Sequence, residues 1–409
     1  MRIFKLTIST IIVSIIMGII SAIFLKSLEL VGAVRGNFPY LILIIPLIGA
    51  LTTYVYSKYW KESKRGNNLI IESVHKETKV PFRMAFLTFI FTILTHLSGG
   101  SAGREGTAVQ IGGALTNNVA NIFKMEHREK RILVMVGISA AFGSIFGTPL
   151  AGTFFGMEVC FMGKLSYEAM MYCFIGSYTA NFVTEGLGIM HQGHVIQSIP
   201  GISIYTFLIV VLSSILFGLF GRIFAKGINL VKDFYGKCIK NNIYRALISA
   251  LVVLLVIVIF RLYDFEGLSI WLVDNGFSGD VSLLDPIKKL VLTVLTLGAG
   301  LQGGEVTPLF TIGASLGGAI GNITHIEPSL LAAIGMICVF GSATNTPVTT
   351  IMLGINLFGV QAIPYYVIGA FISYYVVGNN SIYEAQIINT PKLRRHERYK
   401  GISLENIGK

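Results

Sequence analysis

The stretch "GREGT" (103–107) sets an arginine and a glutamate side by side at the end of a charge-free run over 84–103. A second stretch, "GGEVTP" (303–308), places another glutamate behind two glycines and ahead of a threonine and a proline. A helix that starts away from water leaves its first N–H groups unpaired and its positive dipole end unshielded, so glycine loops feeding such helices make anion sites from backbone alone. "GNNLIIESVH" from Gly66 and "GNNSIYEAQ" from Gly378 read as two further glycine-led helix starts. Four such starts converging on one point would hold an anion without a buried lysine. Glu105 would compete with that anion for the same donors: ionised it keeps the place, protonated it can leave. Burial favours its neutral form and helix-start amides its charged form, the balance that an exchange of proton against anion requires. The plainer reading makes Glu105 a structural ion pair with Arg104.

The elements that must carry these groups are membrane helices. The chain has 409 residues, of which 53% are hydrophobic and only 13% charged, about half the charged fraction of an ordinary soluble domain. Charge-free runs cover 6–25, 84–103, 132–157, 201–221 and 328–383, and a bilayer-crossing helix needs about 20 apolar residues. Carboxylates inside such segments are functional by default, which favours the exchange reading of Glu105. The net charge of +11, from 32 Lys and Arg against 21 Asp and Glu, sits in short loops: "KYWKESKRG" (58–66), "KMEHREKR" (124–131), "KDFYGKCIKNNIYR" (232–245) and "KLRRHERYK" (392–400). The positive-inside rule assigns these to the cytoplasm and accounts for the excess without nucleic acid. Cys160, Cys173, Cys238 and Cys338 have no C-x-x-C spacing and read as packing residues. The basic start followed by a long apolar stretch reads as a retained first helix rather than a signal sequence.

Run lengths and Gly, Pro and charge breaks give helices near 5–33, 39–57, 82–98, 105–123, 130–162, 165–184, 203–234, 244–262, 285–300, 306–322, 328–343, 346–359 and 361–378. Laying "GGSAGREGTAVQIGGA" from Gly99 over "AGLQGGEVTPLFTIGA" from Ala299 matches Glu105 with Glu305, Thr107 with Thr307 and Gly113 with Gly313. Further on, "GISAAFGSIFGTP" (137–149) lies over "GMICVFGSATNTP" (335–347). Two blocks in one order and near-constant offset make the chain two related halves, the pattern of secondary transporters with a midplane site. The first broken helix leads into "KMEHREKR" and its counterpart into "THIEP", which has no Lys or Arg, so the repeat is expected to be inverted. One transmembrane domain then fills 1–391, with repeat one about 1–190, repeat two about 200–378 and a final helix from about 380, ahead of a polar tail, 392–409.

These residues resemble the CLC family of chloride channels and anion/proton exchangers. "GREGT" looks like the family's GREGP motif, whose glutamate is the gate, and "GTPLAG" (147–152) looks like the helix start that follows it. "GGEVTP" in place of the GxFxP motif and a tyrosine near the C-terminus extend the similarity over nearly the whole chain. Where chloride-handling members carry GSGIP this chain has "GNNLI" (66–70), and Glu305 and Thr307 stand where the common motif is apolar. Those departures resemble the CLC-F fluoride/proton antiporter branch.

The resemblance implies an all-α polytopic membrane protein of CLC-type fold, two inverted-topology repeats whose broken helices meet at the midplane. It implies export of fluoride in exchange for protons, with Glu105 as the gating carboxylate. Asn67 takes the selectivity position; Gly103, Arg104, Gly106, Val306, Thr307 and the phenol of Tyr383 join it around the anion, and Glu305 is an additional coupling group. Fluoride is small, strongly hydrated and a strong acceptor, so short charge-assisted donors must replace its water. The resemblance also implies a homodimer in the inner membrane with both termini cytoplasmic, whose partners are fluoride, protons and the lipid bilayer. No cofactor, metal or nucleic acid is called for. Aligning "LAGTFFGMEVC" (150–160) puts Val159, with Glu158 one residue earlier, where chloride-type exchangers tend to carry a second carboxylate, so a separate inner proton carboxylate is not expected.

Other readings are weaker. His96, before the first motif, reads as a packing residue rather than a proton relay. His191 and His194 have near-metal spacing but no acidic or cysteine company in sequence, and an exposed loop is the better reading. An intramembrane hydrolase built on Ser101 and His96 has a glycine bend between them and no oxyanion-hole logic. A passive anion channel shares every motif and differs only in proton coupling. A chloride-selective exchanger is opposed by Asn67 and Thr307.

Overall fold

The computed structural model describes residues 2–59, 61–191 and 193–407, including all side chains there except those of Arg2 and Lys61. Its helices are α1 (Arg2–Asn37), α2 (Ile45–Tyr59), α3 (Asn67–His75), α4 (Arg83–Leu97), α5 (Glu105–Ile122), α6 (His127–Phe146), α7 (Pro149–Glu158), α8 (Met170–Gly186), α9 (Ile204–Cys238), α10 (Asn242–Phe260), α11 (Trp271–Ser278), α12 (Asp285–Gly298), α13 (Val306–Thr324), α14 (Pro328–Thr344), α15 (Pro347–Phe358) and α16 (Ile363–Val377). Two short strands, β1 (Phe161–Met162) and β2 (Ile387–Ile388), pair in parallel. The fold is thus all-α and membrane-embedded. Among the described residues, five helical stretches are long and apolar enough to cross a bilayer, and several others are too short to cross alone.

Burial sorts the helices into a lining and a core. Leu208, Leu212, Leu216 and Leu219 of α9 and Leu251, Leu255 and Ile259 of α10 are exposed, as befits surfaces that face lipid. Helices α6 and α14 are buried almost all round, and they pack on α5 and α13 through glycine. A Cβ on Gly112 would strike the Gly137 carbonyl, and one on Gly313 would strike the Gly335 carbonyl. Small residues let helices approach this closely where no hydrophobic drive separates helix from lipid. Each half therefore has the same crossing, α5 on α6 and α13 on α14.

The halves run in opposite directions. From a shared starting point, α5 leads to the Phe123 carbonyl, which accepts a bond from Lys5 near the N-terminus. Arg131 in the same region pairs with Glu168, and His75 at the end of α3 packs on Phe161 of β1, whose partner β2 belongs to the C-terminal segment. The two termini and the basic loops thus gather at one end. Helix α13 leads instead to Thr324, whose carbonyl accepts from the Tyr205 hydroxyl at 2.7 Å, at the opposite end.

Three expectations are corrected. The span 130–162 is two helices, because Gly147 closes α6 in the left-handed region (φ 69°) and Pro149 opens α7 at its first turn, where a proline loses no hydrogen bond. No helix starts near 380 either: Gly378 (φ 65°) ends α16, and the segment is held extended. There the Ile382 N–H donates to the Ala343 carbonyl (2.9 Å), and Gln386 Nε2 donates to the carbonyls of Val159 (2.8 Å) and Thr344 (2.7 Å). So "GNNSIYEAQ" is not a fourth helix start. The register of the first repeat block also shifts by one: α5 begins at Glu105 and α13 at Val306, so Arg104 corresponds to Glu305 and Gly106 to Thr307. As for the tail, it folds back beside β2, with the Leu404 N–H donating to the Gln386 carbonyl (3.0 Å).

Candidate functional site

The two glycine loops meet head to head. The Gly103 N–H donates to the Gly304 carbonyl (2.6 Å) and the Gly304 N–H to the Gly103 carbonyl (2.8 Å). This reciprocal pair spends the loop amides on each other and leaves the first turns of α5 and α13 facing across it.

Glu105 opens α5 but its carboxylate lies on the start of α13. Oε2 accepts from the Thr307 N–H (3.0 Å), and the Thr307 hydroxyl is 2.6 Å from both carboxylate oxygens. Arg104 adds its own N–H (3.2 Å) and its Nε (3.2 Å). The side chain is wholly buried. A negative group therefore occupies the positive end of a helix from the other repeat, where unpaired amides and the dipole favour it. Glu105 is thus an ion-pair partner of Arg104 and at the same time an acceptor at the start of a helix from the other repeat. Val306, buried, begins the receiving helix.

Around this point the other expected residues converge. Gly66 (φ 54°) turns the chain into α3, which delivers Asn67. The Asn67 Nδ2 donates to Glu305 Oε2 at 3.4 Å, and its Oδ1 is buried without a partner among the described residues. Gly106 is the spacer, since a Cβ there would strike Glu305 and lie 3.0 Å from both Asn67 Nδ2 and the Gly304 Cα. Tyr383 is 1% exposed, turns its ring edge to Phe155, and has a hydroxyl without a hydrogen-bond partner among the described residues. It stands within Coulombic reach of Glu105 and Glu305. The turn that follows it is tied to α3 by the Ala385 N–H, which donates to Asn68 Oδ1 (3.0 Å). Buried polar atoms are rarely left unpaired, and two of them border the place where the carboxylates gather.

A cavity of about 830 Å³ opens onto this group, lined by Asn67, Glu305, Arg65, Lys232, Arg245 and Glu384 among others. Glu105 does not line it. Its cations Arg65, Lys232 and Arg245 come from the basic loops, so the cavity opens at the end of the molecule that carries them, with Asp233, Glu305, Glu384 and Glu405 balancing them in the lining. Asn67 and Glu305 thus border the cavity, while Glu105 is sealed one layer deeper.

Sequence reading missed Gln110, which lines the same cavity and comes within 3.4 Å of a Cβ built on Gly66. The available signal was an amide side chain within the small and apolar first half of α5, ahead of its asparagines. Glu158 is buried at the start of α15, accepting from the N–H groups of Val348 (3.1 Å) and Thr349 (2.7 Å) and from the Thr349 hydroxyl (2.7 Å). In return Asn356 of α15 caps the Leu150 N–H of α7 at 3.0 Å. His96 is buried with Nε2 3.4 Å from the Gly103 carbonyl. The rings of His191 and His194 are apart in role: the first packs on Gly147, the second is 2.9 Å from Asp274. Among the described residues no group of His, Cys, Asp and Glu could hold a metal ion.

Comparison with known proteins agrees with this architecture. The family model described as voltage gated chloride channel matches residues 48–378. A chloride/fluoride channel protein of Pseudomonas syringae pv. tomato is 37% identical over 392 residues, 94% of this chain and 86% of that protein. An H(+)/Cl(-) exchange transporter ClcA of Vibrio parahaemolyticus is 28% identical over 314 residues, 72% of this chain and 67% of its own. The crystal structure of a CLC-type fluoride/proton antiporter superposes with a TM-score of 0.90 at 34% identity, covering 94% of this chain and 98% of that one. A slow cyanobacterial Cl-/H+ antiporter superposes with a TM-score of 0.78 over 91% and 94% at 18% identity, which speaks for the fold alone. With paired glycine loops, a buried carboxylate on the opposite repeat's helix and these likenesses together, the chain belongs to the CLC family of voltage-gated chloride channels and transporters.

Proposed function

We propose that the protein is a secondary active fluoride/proton antiporter that exports fluoride while protons enter. The observation that carries the reading is the Glu105 carboxylate held by the amide and hydroxyl of Thr307 at the start of α13. Fluoride and that carboxylate compete for one set of donors; protonation removes the carboxylate as an acceptor of those bonds and frees the place. Coupling follows because fluoride takes the place only when Glu105 is protonated and displaced, so neither ion moves without the other. Thr307, Tyr383 and the Asn67 amide supply neutral donors suited to a hard, strongly hydrated ion. The relatives named for fluoride support that choice over chloride.

Glu305, beside Asn67 and facing the cavity, is the group that passes protons between inner water and Glu105. The basic residues of the cavity favour a cytoplasmic opening, which supports cytoplasmic termini; the membrane of this reading is the inner (plasma) membrane. Each subunit of a homodimer carries its own pathway.

The test is fluoride efflux from proteoliposomes with internal pH recorded. A fluoride gradient should drive proton uptake, and chloride should do so far less. Glu105→Gln should keep anion flux and lose proton movement. A Glu105→Gln protein that still moved protons would sink the gate. A wild type that moved fluoride without protons would be a passive channel, and one that moved chloride equally well a general CLC exchanger.

A further inference from the structure

The gate loop is held by a buried cation that the exchange reading does not use. Lys289, on α12, is wholly buried. Its Nζ donates to Ser101 Oγ (3.0 Å), the Phe265 carbonyl (3.1 Å), the Gly267 carbonyl (2.8 Å) and Ser269 Oγ (2.9 Å). All four acceptors are neutral. An ammonium has three hydrogens, so four oxygens at these distances leave it no donor for a passing halide.

Burying an ammonium whose hydrogen-bond partners are all neutral costs stability. The Glu266 carboxylate within Coulombic reach, itself paired with Arg35, offsets that only in part, and an apolar side chain would fill the same helix face at less cost. The charge must serve the segment it grips. That segment is 99–103, the strap from which Glu105 hangs. The same face of α12 grips it twice more: Thr293 Oγ1 is 2.8 Å from Ser101 Oγ, and Thr296 Oγ1 accepts from the Ser101 N–H at 3.3 Å. Positions 289, 293 and 296 follow the helical period. The strap also lies beside the 265–269 loop, with Ser101 bridged to Gly267 and the Gly267 N–H donating to the Gly100 carbonyl (3.2 Å). Helix α12 then runs straight into the second glycine loop, so one rigid element spans the approaches to both halves of the site.

We propose that Lys289 is a positioning residue for the gate: through Ser101 its ammonium keeps the 99–103 backbone still while the Glu105 side chain trades places with the anion. A strap free to shift would let fluoride pass with Glu105 displaced but not protonated, which is slip. The proposal rests on the gate reading of Glu105.

Ser101→Ala is the sharper variant, because it removes the link to the strap and leaves Lys289 its other three acceptors. Lys289→Met removes the cation itself. Full-length protein in proteoliposomes is assayed for fluoride efflux and proton uptake together, with thermal melting of the same preparations. Both variants should raise uncoupled fluoride leak relative to coupled exchange, by about tenfold for the one charge-assisted bond lost in Ser101→Ala. A wild-type proton-to-fluoride ratio in Ser101→Ala overturns the proposal. So does a loss of both fluxes in step with the loss of folded protein, since a purely structural lysine would give that. If Glu105→Gln uncouples and Ser101→Ala does not, this proposal alone falls; if Glu105→Gln still couples, the gate reading falls and takes this proposal with it.

Discussion

Thr307→Val tests whether one set of donors serves both gate and ion. The hydroxyl lies 2.6 Å from both oxygens of a wholly buried carboxylate, a short charge-assisted bond. Such a bond is worth about 1.5–3 kcal/mol, roughly 10- to 150-fold in an equilibrium constant. Valine keeps the branched shape and the backbone amide, which still reaches Glu105 at 3.0 Å. If fluoride uses the same hydroxyl, its intrinsic affinity falls by a similar factor. In the intact protein, however, the competing carboxylate is weakened too, and the two losses largely cancel. The expectation is therefore conditional. Fluoride titrations of detergent-purified protein should show a full loss, roughly tenfold or more, when Thr307→Val is made on top of Glu105→Gln. With Glu105 intact the loss should be several times smaller. Equal losses in the two backgrounds would refute competition for shared donors, and no loss in either would remove Thr307 from the anion site.

Two further outcomes follow from backbone contacts. Gly106→Ala puts a methyl against the Glu305 carboxylate, the movable end of a side chain, and 3.0 Å from both the Asn67 amide and the Gly304 Cα, so the glycine loop must give by a few tenths of an ångström. The protein should fold with a modestly lower melting temperature while fluoride transport in proteoliposomes falls about tenfold, the value of a displaced hydrogen bond to a charged group. Gly313→Val meets the Gly335 carbonyl instead, which cannot step aside, so stability should fall by about 3 kcal/mol, read as a lower melting temperature in detergent with no change in the coupling of the surviving protein.

What the sequence disclosed and what it hid divide along physical lines. The gate pair, the glycine loops and the repeat were legible because glycine, charge and proline punctuate an otherwise uniform apolar chain. The break between α6 and α7 is marked by "GTPLAG" and blurred by run length, because helices buried on all sides carry no periodic signal to divide them. Residues 132–157 read as one run although Gly147 and Pro149 part it. Segment 378–391 misled for the opposite reason. Its asparagines and serine look like a cap, yet partners far along the chain decide its shape. Asn345, itself at φ 58°, donates to the Asn380 carbonyl (3.1 Å) and accepts from Lys392 (2.5 Å). Lys288 and Lys289 are adjacent and indistinguishable by type, but the first pairs with Asp285 at 3.1 Å and the second is buried. Only the phase of α12 against the strap separates them.

The register shift of one residue bears most directly on function. Sequence matching aligned Glu105 with Glu305 as twin carboxylates; geometry aligns Glu105 with Val306 and Arg104 with Glu305. The two glutamates are therefore unlike in environment. Glu105 is the first residue of its helix and reaches across to the other repeat, whereas Glu305 precedes its helix and lies beside Asn67 at the cavity. Two carboxylates at one symmetric site would repel and share a proton. Here the broken symmetry gives one a dry seat on helix-start donors and the other a place on the cavity, so in the proposed exchange a proton leaving the dry group is passed to the one at the cavity and released there. An anion arriving through the same cavity passes Glu305 first, and its progress is favoured when that carboxylate is neutral. In the proposed exchange, the proton on its way in from the gate neutralises Glu305 as fluoride enters on its way out, so the two ions meet at the inner carboxylate.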